Sequence, residues 1–270
     1  MGCDIMMNYM KSELYRIVHS KGIYILSGIC ALLLLSMNVV LHLFGRGGHF
    51  AYDNTEFVFS MVWSALNTVF FLTLCMGSLI FADEYKNKTI SNSIAFGYSR
   101  ISLYFGKILV GMIVSVAALV AVLGIFIISA YLLLENSGID VLLKMFRGIG
   151  ASIPALLTGE IAAITFCFLL GTTTGAIWSW FGLMIGVPMV SEILGMMGKK
   201  FDFFARLSKW LVYEVLQDNQ IIVTEDGMAR EVIMAWMTRD GLIRMILAGV
   251  IGIAIFLILG VVGLRRKEIK

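Results

Sequence analysis

Charged side chains are scarce in this sequence. They make up 14% of its 270 residues, whereas 59% are hydrophobic, and a soluble globular domain carries about 25% charged residues. The net charge is only +3, and the basic residues flank apolar segments instead of forming a basic surface. The composition therefore excludes an ordinary soluble domain and gives no indication of a nucleic-acid partner.

Cysteine and histidine are also rare, with four and three residues respectively. The cysteines show no CxxC spacing, so the sequence predicts neither a disulfide framework nor a metal site. The histidines, His19, His42 and His49, all precede the second long apolar segment and show no ligand spacing with carboxylates. An intramembrane protease or metalloenzyme is therefore not favoured.

The sequence lacks a phosphate-binding loop, GxxxxGK followed by serine or threonine, whose glycines and lysine hold the phosphates of a nucleotide. Residues 171–175 read Gly-Thr-Thr-Thr-Gly but have no lysine. We therefore predict that the chain is not an enzyme and binds no cofactor. Energy from ATP would have to come from another polypeptide.

Six apolar segments are each long enough to cross the hydrocarbon core, which takes about 20 helical residues. They lie at residues 22–44, 57–81, 103–134, 151–171, 176–197 and 242–264. None shows the two-residue alternation of barrel strands, and the first is too long for a signal peptide. Pro188 is predicted to kink the fifth segment. The expected fold is one all-α polytopic membrane domain over residues 1–270, with six transmembrane helices.

Basic residues beside these segments predict the orientation of the chain. They precede the first segment, surround the loop at 83–102 and follow the last segment: Lys11, Arg16, Lys21, Lys86, Lys88, Arg100, Lys107, Arg265, Arg266, Lys267 and Lys270. The short loops of the opposite face carry fewer. We therefore expect both termini and the loop at 83–102 in the cytoplasm, and a multi-pass protein of the bacterial plasma membrane.

The N-terminal residues 4–20 are predicted to form a helix along the membrane surface. Met7, Met10, Leu14 and Ile17 recur at helical spacing, with polar residues on another face. This pattern is typical of a helix in the cytoplasmic interface, in contact with membrane lipids.

An outer helical segment is predicted at residues 198–241. It contains an amphipathic helix at 202–216 and a second short helix at 228–237, which follows the turn signal Glu225-Asp226-Gly227. A lid packed on the spans is favoured over a gate that covers a pathway.

The cytoplasmic loop at 83–102 is a polar, basic island between two spans. Ile90 and Ile94 share one face of a short helix, Gly97 is expected to end it, and Ser99 is expected to cap the next helix. Such a helix is too short to be stable alone. It either contacts a soluble partner or is a plain connecting loop.

The sequence of this island resembles that of permeases of the ABC type-2 exporter family. The resemblance is carried by Glu84, Tyr85, Lys86, Asn87, Lys88, Thr89 and Ile90, then by Gly97, Tyr98, Ser99 and Arg100, and by Lys107 on the next span. The interfacial N-terminal helix, six spans and basic tail match as well. In that family a coupling helix after the second span docks in a groove of a separate ATPase. The resemblance implies that residues 84–90 and 94–100, including Ile94, dock an ATPase here; we call residues 84–100 the docking segment.

Few polar residues lie inside the predicted spans. Glu160 falls near the middle of the fourth, where a carboxylate is costly and should face the bundle interior, a cavity or a subunit interface. It either contacts a cationic substrate or is a neutral structural group bonded to Thr158 or Thr165. Asn67 is a second candidate for the substrate pathway, although Asn38 and Asn67 are more simply interpreted as interhelical hydrogen-bonding residues.

We therefore predict a transmembrane permease subunit of an ATP-driven ABC exporter. The resemblance implies two ATPase subunits that bind ATP and Mg²⁺, and a second permease, either another copy of this chain or a homologue. An amphipathic peptide or drug is the expected substrate, as in antimicrobial peptide immunity or drug resistance. The alternative is a non-transporting sensor or scaffold that docks a cytoplasmic partner. A secondary transporter is not favoured, because no inverted repeat is evident.

Overall fold

The computed structural model describes residues 2–46, 52–87, 94, 97–217, 219–223 and 230–266. The α-helices of this part are α1 (Gly2–Val18), α2 (Lys21–Gly45), α3 (Thr55–Ser64), α4 (Leu66–Asn87), α5 (Arg100–Leu133), α6 (Ile139–Leu170), α7 (Thr173–Phe181), α8 (Val187–Met196), α9 (Asp202–Ser208), α10 (Val212–Gln217) and α11 (Arg239–Arg266). Two short strands, β1 (Asn219–Val223) and β2 (Arg230–Met234), pair antiparallel.

The predicted all-α polytopic fold is confirmed. Among the described residues, five helical segments are long and apolar enough to cross a membrane: α2, α5, α6, α7 with α8, and α11. A sixth span results when α3 and α4, which are broken at Ala65, are counted together. The predicted interfacial helix corresponds to α1.

The fourth span differs most from its predicted limits. Residues 151–171 were the expected span, whereas α6 begins at Ile139 and ends at Leu170. Lys144 and Arg147 lower the hydropathy of the first turns, but lysine and arginine are good helix formers. The polar residues therefore end the apolar segment without ending the helix.

The fifth span is interrupted where the proline was expected to act. Helix α7 continues into a π-helix, Gly182–Gly186, and Pro188 lies in the first turn of α8. A proline there loses no α-helical hydrogen bond of its own helix, because the first N–H groups of a helix have no partner within it. The irregularity thus combines a π-helix with a proline, both known causes of bends.

The chain divides into two compact units. One comprises Met1–Ala65 and Phe105–Phe146, and the other comprises Leu66–Tyr104 and Arg147–Lys270. Helices α5 and α6 each have residues in both units.

A buried asparagine joins two spans of the first unit. The Nδ2 atom of Asn38 on α2 donates to Ser129 Oγ on α5 at 2.7 Å and to the carbonyl of Phe126 at 3.2 Å. Asn38 is fully buried. Its predicted role as an interhelical hydrogen-bonding residue is confirmed.

In the second unit, α6 is the central helix. Its residues 158–168 are buried on every side. Small residues let neighbouring helices approach it: a Cβ at Gly77 of α4 would lie 2.7 Å from Ala163 Cβ, and one at Gly252 of α11 would lie 2.6 Å from Thr158 Cγ2. Close packing of this kind is the usual means of helix association in lipid.

The outer segment departs from the prediction in two respects. Two short helices, α9 and α10, replace the single helix expected at 202–216, and β2 followed by a 3₁₀ turn, Ala235–Met237, replaces the helix expected at 228–237. The second prediction was wrong because Ile221 and Val232, which are paired in the hairpin, belong to β-branched runs that favour strands. The turn signal at 225–227 lies outside the described residues.

Helix α10 packs among the spans of its unit. Val212 is buried, and one of its Cγ atoms would lie 3.2 Å from a Cβ at Gly252, in the middle of α11. The ring of Tyr213 lies with its centroid 6.2 Å from that of Phe70 and 6.1 Å from that of Phe71 on α4. This part of the outer segment is thus inserted between helices.

Candidate functional site: the docking segment and the membrane interior

The end of the docking segment has the backbone geometry expected from its sequence. Gly97 has a positive φ of 91° and its N–H donates to the Ile94 carbonyl at 3.0 Å. A positive φ favours glycine because that residue has no Cβ. Ser99 Oγ accepts from the N–H of Ser102 at 3.1 Å, so Ser99 caps α5. The predicted cap is confirmed, whereas most of the short helix that Gly97 was expected to end lies outside the described residues.

The other docking residues fall into three groups. Glu84, Tyr85, Lys86 and Asn87 form the last turn of α4. Tyr98 and Arg100 are partly buried beside the exposed Gly97 and Ser99. Lys88, Thr89 and Ile90 lie outside the described residues.

Tyr104 fixes the beginning of α5 to the centre of the second unit. Its hydroxyl lies 2.8 Å from Thr165 Oγ1 of α6 and donates to the Phe256 carbonyl of α11 at 3.1 Å. The side chain is fully buried, and a Cβ at Gly260 would collide with its phenol oxygen. The helix that leaves the docking segment is therefore anchored within its first two turns.

Lys107 makes a second anchor, in the first unit. Its Nζ atom lies 3.0 Å from Glu13 Oε2 on α1, and Arg16 Nη2 lies 2.9 Å from the same oxygen. Glu13 is 6% exposed and Lys107 is 1% exposed. Burial alone would raise the pKa of Glu13, but the charges of Lys107 and Arg16 and their hydrogen bonds outweigh it, so that this pKa lies below its usual 4.5.

Part of the apolar face predicted for α1 is exposed, and Ile17 is the member of that face that is buried against protein. Tyr9, Glu13 and Ile17 are buried, whereas Met7 and Leu14 are exposed to the surroundings of the protein. Sequence reasoning singled out Lys107 but missed Glu13. The i, i+4, i+8 spacing of Tyr9, Glu13 and Ile17 is the signal that could have found it.

Glu160 is enclosed within the protein. It is 1% exposed and lies on the part of α6 that is buried on every side. Thr158 Oγ1 is bonded to the carbonyls of Pro154 and Gly249, and Thr165 Oγ1 to the Ile161 carbonyl and to Tyr104. The structure thus places Glu160 in the bundle interior, and gives neither threonine a hydrogen bond to it.

Asn67 lies within the second predicted span, near the break of that span. It is the second residue of α4, just after the break at Ala65, and its Oδ1 accepts from the N–H of Thr68 at 2.8 Å. This hydrogen bond is local, as is common at helix starts. The interhelical and substrate-pathway roles of Asn67 stay predictions.

Aromatic rings contact Gly159, the residue that precedes Glu160 on α6. Trp180 Nε1 donates to the Gly159 carbonyl at 2.8 Å, and its ring lies 5.0 Å from that of Phe70. A Cβ at Gly159 would lie 2.7 Å from Phe70 Cε2. With Tyr213 of α10, Trp180 and Phe70 form an aromatic cluster that sequence reasoning did not identify, because its members come from three helices.

No group of three or more histidine, cysteine, aspartate or glutamate side chains in the described ranges could hold a metal ion. The chemistry that this part of the chain offers is hydrogen bonding, ion pairing and apolar contact.

Comparison with known families gives one match. The model of the family described as ABC-2 family transporter protein matches residues 9–185, which is more than half of the chain. The matched region includes Glu13, the docking segment, Lys107 and Glu160, and it ends within the π-helix of the fifth span. No curated protein matches the chain.

Proposed function

This chain belongs to the ABC-2 family of transporter proteins, and we propose that it is the permease subunit of an ATP-driven exporter. Its multi-pass helical architecture agrees with a membrane subunit of that family. In this proposal the chain forms the substrate pathway as a dimer, with a second copy or a homologous permease, and separate ATPase subunits supply the energy.

The docking segment is proposed to bind the ATPase. The observation that carries this proposal is the Gly97–Ser99 turn, which is exposed and leads directly into the anchored start of α5. Helix α5 begins at this turn, and it makes buried contacts through Tyr104, which donates to the Phe256 carbonyl, and through Lys107, which pairs with Glu13. Two ATPase subunits, each with ATP and Mg²⁺, would serve a permease dimer.

The orientation proposed for the chain follows from this role. An ATPase in the cytoplasm requires the docking segment on the cytoplasmic face, which agrees with the basic residues around it. Both termini then lie in the cytoplasm of a bacterial cell, and the hairpin of β1 and β2 lies outside.

The substrate proposed is an amphipathic peptide or drug. Glu160 offers a carboxylate to a cationic group, and the aromatic cluster offers apolar surface close to it. Because Glu160 is enclosed in this structure, contact with a substrate would require helices around α6 to separate. Export of such compounds would provide drug resistance or self-immunity.

Purification of the native complex tests this proposal. The tagged chain is extracted gently from its own membrane, and the proteins that accompany it are identified by mass spectrometry. An ATPase recovered in about equal amount to total permease supports the exporter. Recovery of the chain without an ATPase, under conditions that preserve other ABC complexes, would favour the sensor or scaffold instead.

A further inference from the structure

Helix α1 makes buried contact through a stripe of side chains on one of its faces. Tyr9, Glu13 and Ile17 are the residues of that stripe, and one of the three is a carboxylate. Burying a charged pair is favourable only when its geometry and hydrogen bonding are good, and it often adds little stability compared with apolar residues. We therefore expect the carboxylate at the centre of this stripe to determine the position of α1 on α5, and to add little to the stability of that contact.

The stripe meets α5 at two adjacent residues. A Cβ at Gly106 would lie 2.8 Å from Cε1 of the Tyr9 ring, so α1 lies directly against the α5 backbone. One residue further, Lys107 Nζ lies 3.0 Å from Glu13 Oε2. Apolar contact and ion pair together fix both the distance and the register of the two helices.

Lys107 is also close to the docking segment. It lies seven residues after Arg100, which corresponds to about 10 Å along a helix. Both positions lie on α5, which runs from Arg100 to Leu133.

We infer that Glu13 is a positioning residue for ATP-driven transport: through Lys107 it makes α1 and the start of α5 move as one element when the ATPase acts on the docking segment. This inference rests on the proposed function. Exposed apolar residues of α1, among them Met7, Leu14 and Val18, would carry that motion into the cytoplasmic leaflet.

The test uses the complex of the permease with its copurified ATPase in lipid nanodiscs, and measures the ATP hydrolysis that depends on the permease. Glu13→Gln is expected to lower that hydrolysis at least fivefold while the ATPase stays bound in the same ratio. Lys107→Arg, which keeps the charge, is expected to retain at least half of it. Lys11→Gln is the control, because Lys11 is an exposed cation on the same helix.

Each outcome is decisive. Hydrolysis of Glu13→Gln within twofold of the native complex, with the ATPase bound, would overturn the role of Glu13 and leave the proposed function intact. A native chain that brings down no ATPase would overturn both. Loss of hydrolysis in Glu13→Gln accompanied by loss of bound ATPase would also contradict the inference, because it would indicate a structural role at the docking interface.

Discussion

The hydroxyl of Tyr104 lies 2.8 Å from Thr165 Oγ1 and joins the start of α5 to α6. Thr165 is in the middle of the buried stretch of α6, five residues after Glu160. The helix that leaves the docking segment is thus bonded to the same helix that carries the buried carboxylate. One hydrogen bond therefore connects the helix that follows the proposed ATPase contact with the helix that carries Glu160.

The space around Tyr104 makes a prediction about Gly260. Gly260→Ala is expected to destabilise the protein by about 1–3 kcal/mol, because the added Cβ collides with the phenol oxygen. Gly124→Ala is the matched control, since nothing lies within 4 Å of a Cβ at that helical position. Thermal unfolding in detergent measures both. Equal melting temperatures for the two variants would contradict the packing described here.

The docking segment makes a prediction about coupling. The double variant Glu84→Ala, Arg100→Ala is expected to uncouple ATP hydrolysis from transport while the protein remains folded, because both residues belong to the docking segment. Transport of a fluorescent amphipathic peptide into inverted vesicles is compared with ATP consumption. Lys144→Ala, on the opposite side of the membrane in the proposed topology, is the control. Undiminished transport by the double variant would show that the segment does not couple the two subunits.

The position of Glu160 predicts a selective effect. Glu160→Gln keeps the size of the side chain and is expected to change the apparent affinity for cationic amphipathic substrates several-fold, with the ATPase still bound. The reason is that an amide cannot carry the negative charge with which a carboxylate can attract a cation. Substrate-stimulated ATP hydrolysis measures the change. Native kinetics for charged and neutral substrates alike would make Glu160 a structural residue.

The ion pair at Glu13 predicts a pH dependence. Its pKa is lowered in the folded protein, so the unfolded chain binds the proton more readily. The pair therefore contributes stability above about pH 4.5, and this contribution is lost as the pH falls through the lower folded pKa. The difference in melting temperature between the native protein and Glu13→Gln should be constant near pH 7 and shrink below pH 4.5. A difference that grew on acidification would contradict the sign of the shift.

Asn38 provides a test of hydrogen bonding between spans. Asn38→Ala is expected to cost about 0.6 kcal/mol and at most about 1.7 kcal/mol, the average and the maximum measured for such hydrogen bonds in a membrane protein. Ser36→Ala is the control, because Ser36 is exposed and its hydroxyl donates to the Leu33 carbonyl within the same helix. Unfolding of both variants is followed in mixed micelles. A Ser36 effect as large as that of Asn38 would rule out a special role for the interhelical bond.

Local features of the chain were predictable from sequence. The positive φ at Gly97 and the cap at Ser99 depend on the conformational preferences and hydrogen bonds of neighbouring residues. The spans follow from the length of apolar runs, because the hydrocarbon core admits only segments whose backbone bonds are satisfied internally. The outer helix expected at 228–237 failed because strand pairing between Ile221 and Val232 outweighed a helical pattern that was weak in so short a segment.

The sequence by itself determined the class of protein, its apolar helical segments and the cap at Ser99. Only the tertiary structure decided which face of α1 is buried, that Glu13 meets Lys107 across 94 positions of sequence, and that α10 inserts between helices. The physical reason is that hydropathy measures only whether a side chain prefers an apolar environment to water. Met7 and Glu13 lie on two faces of α1, one exposed and the other against protein, and a lipid surface and a protein interior are both apolar. Only the positions of the neighbouring helices separate them.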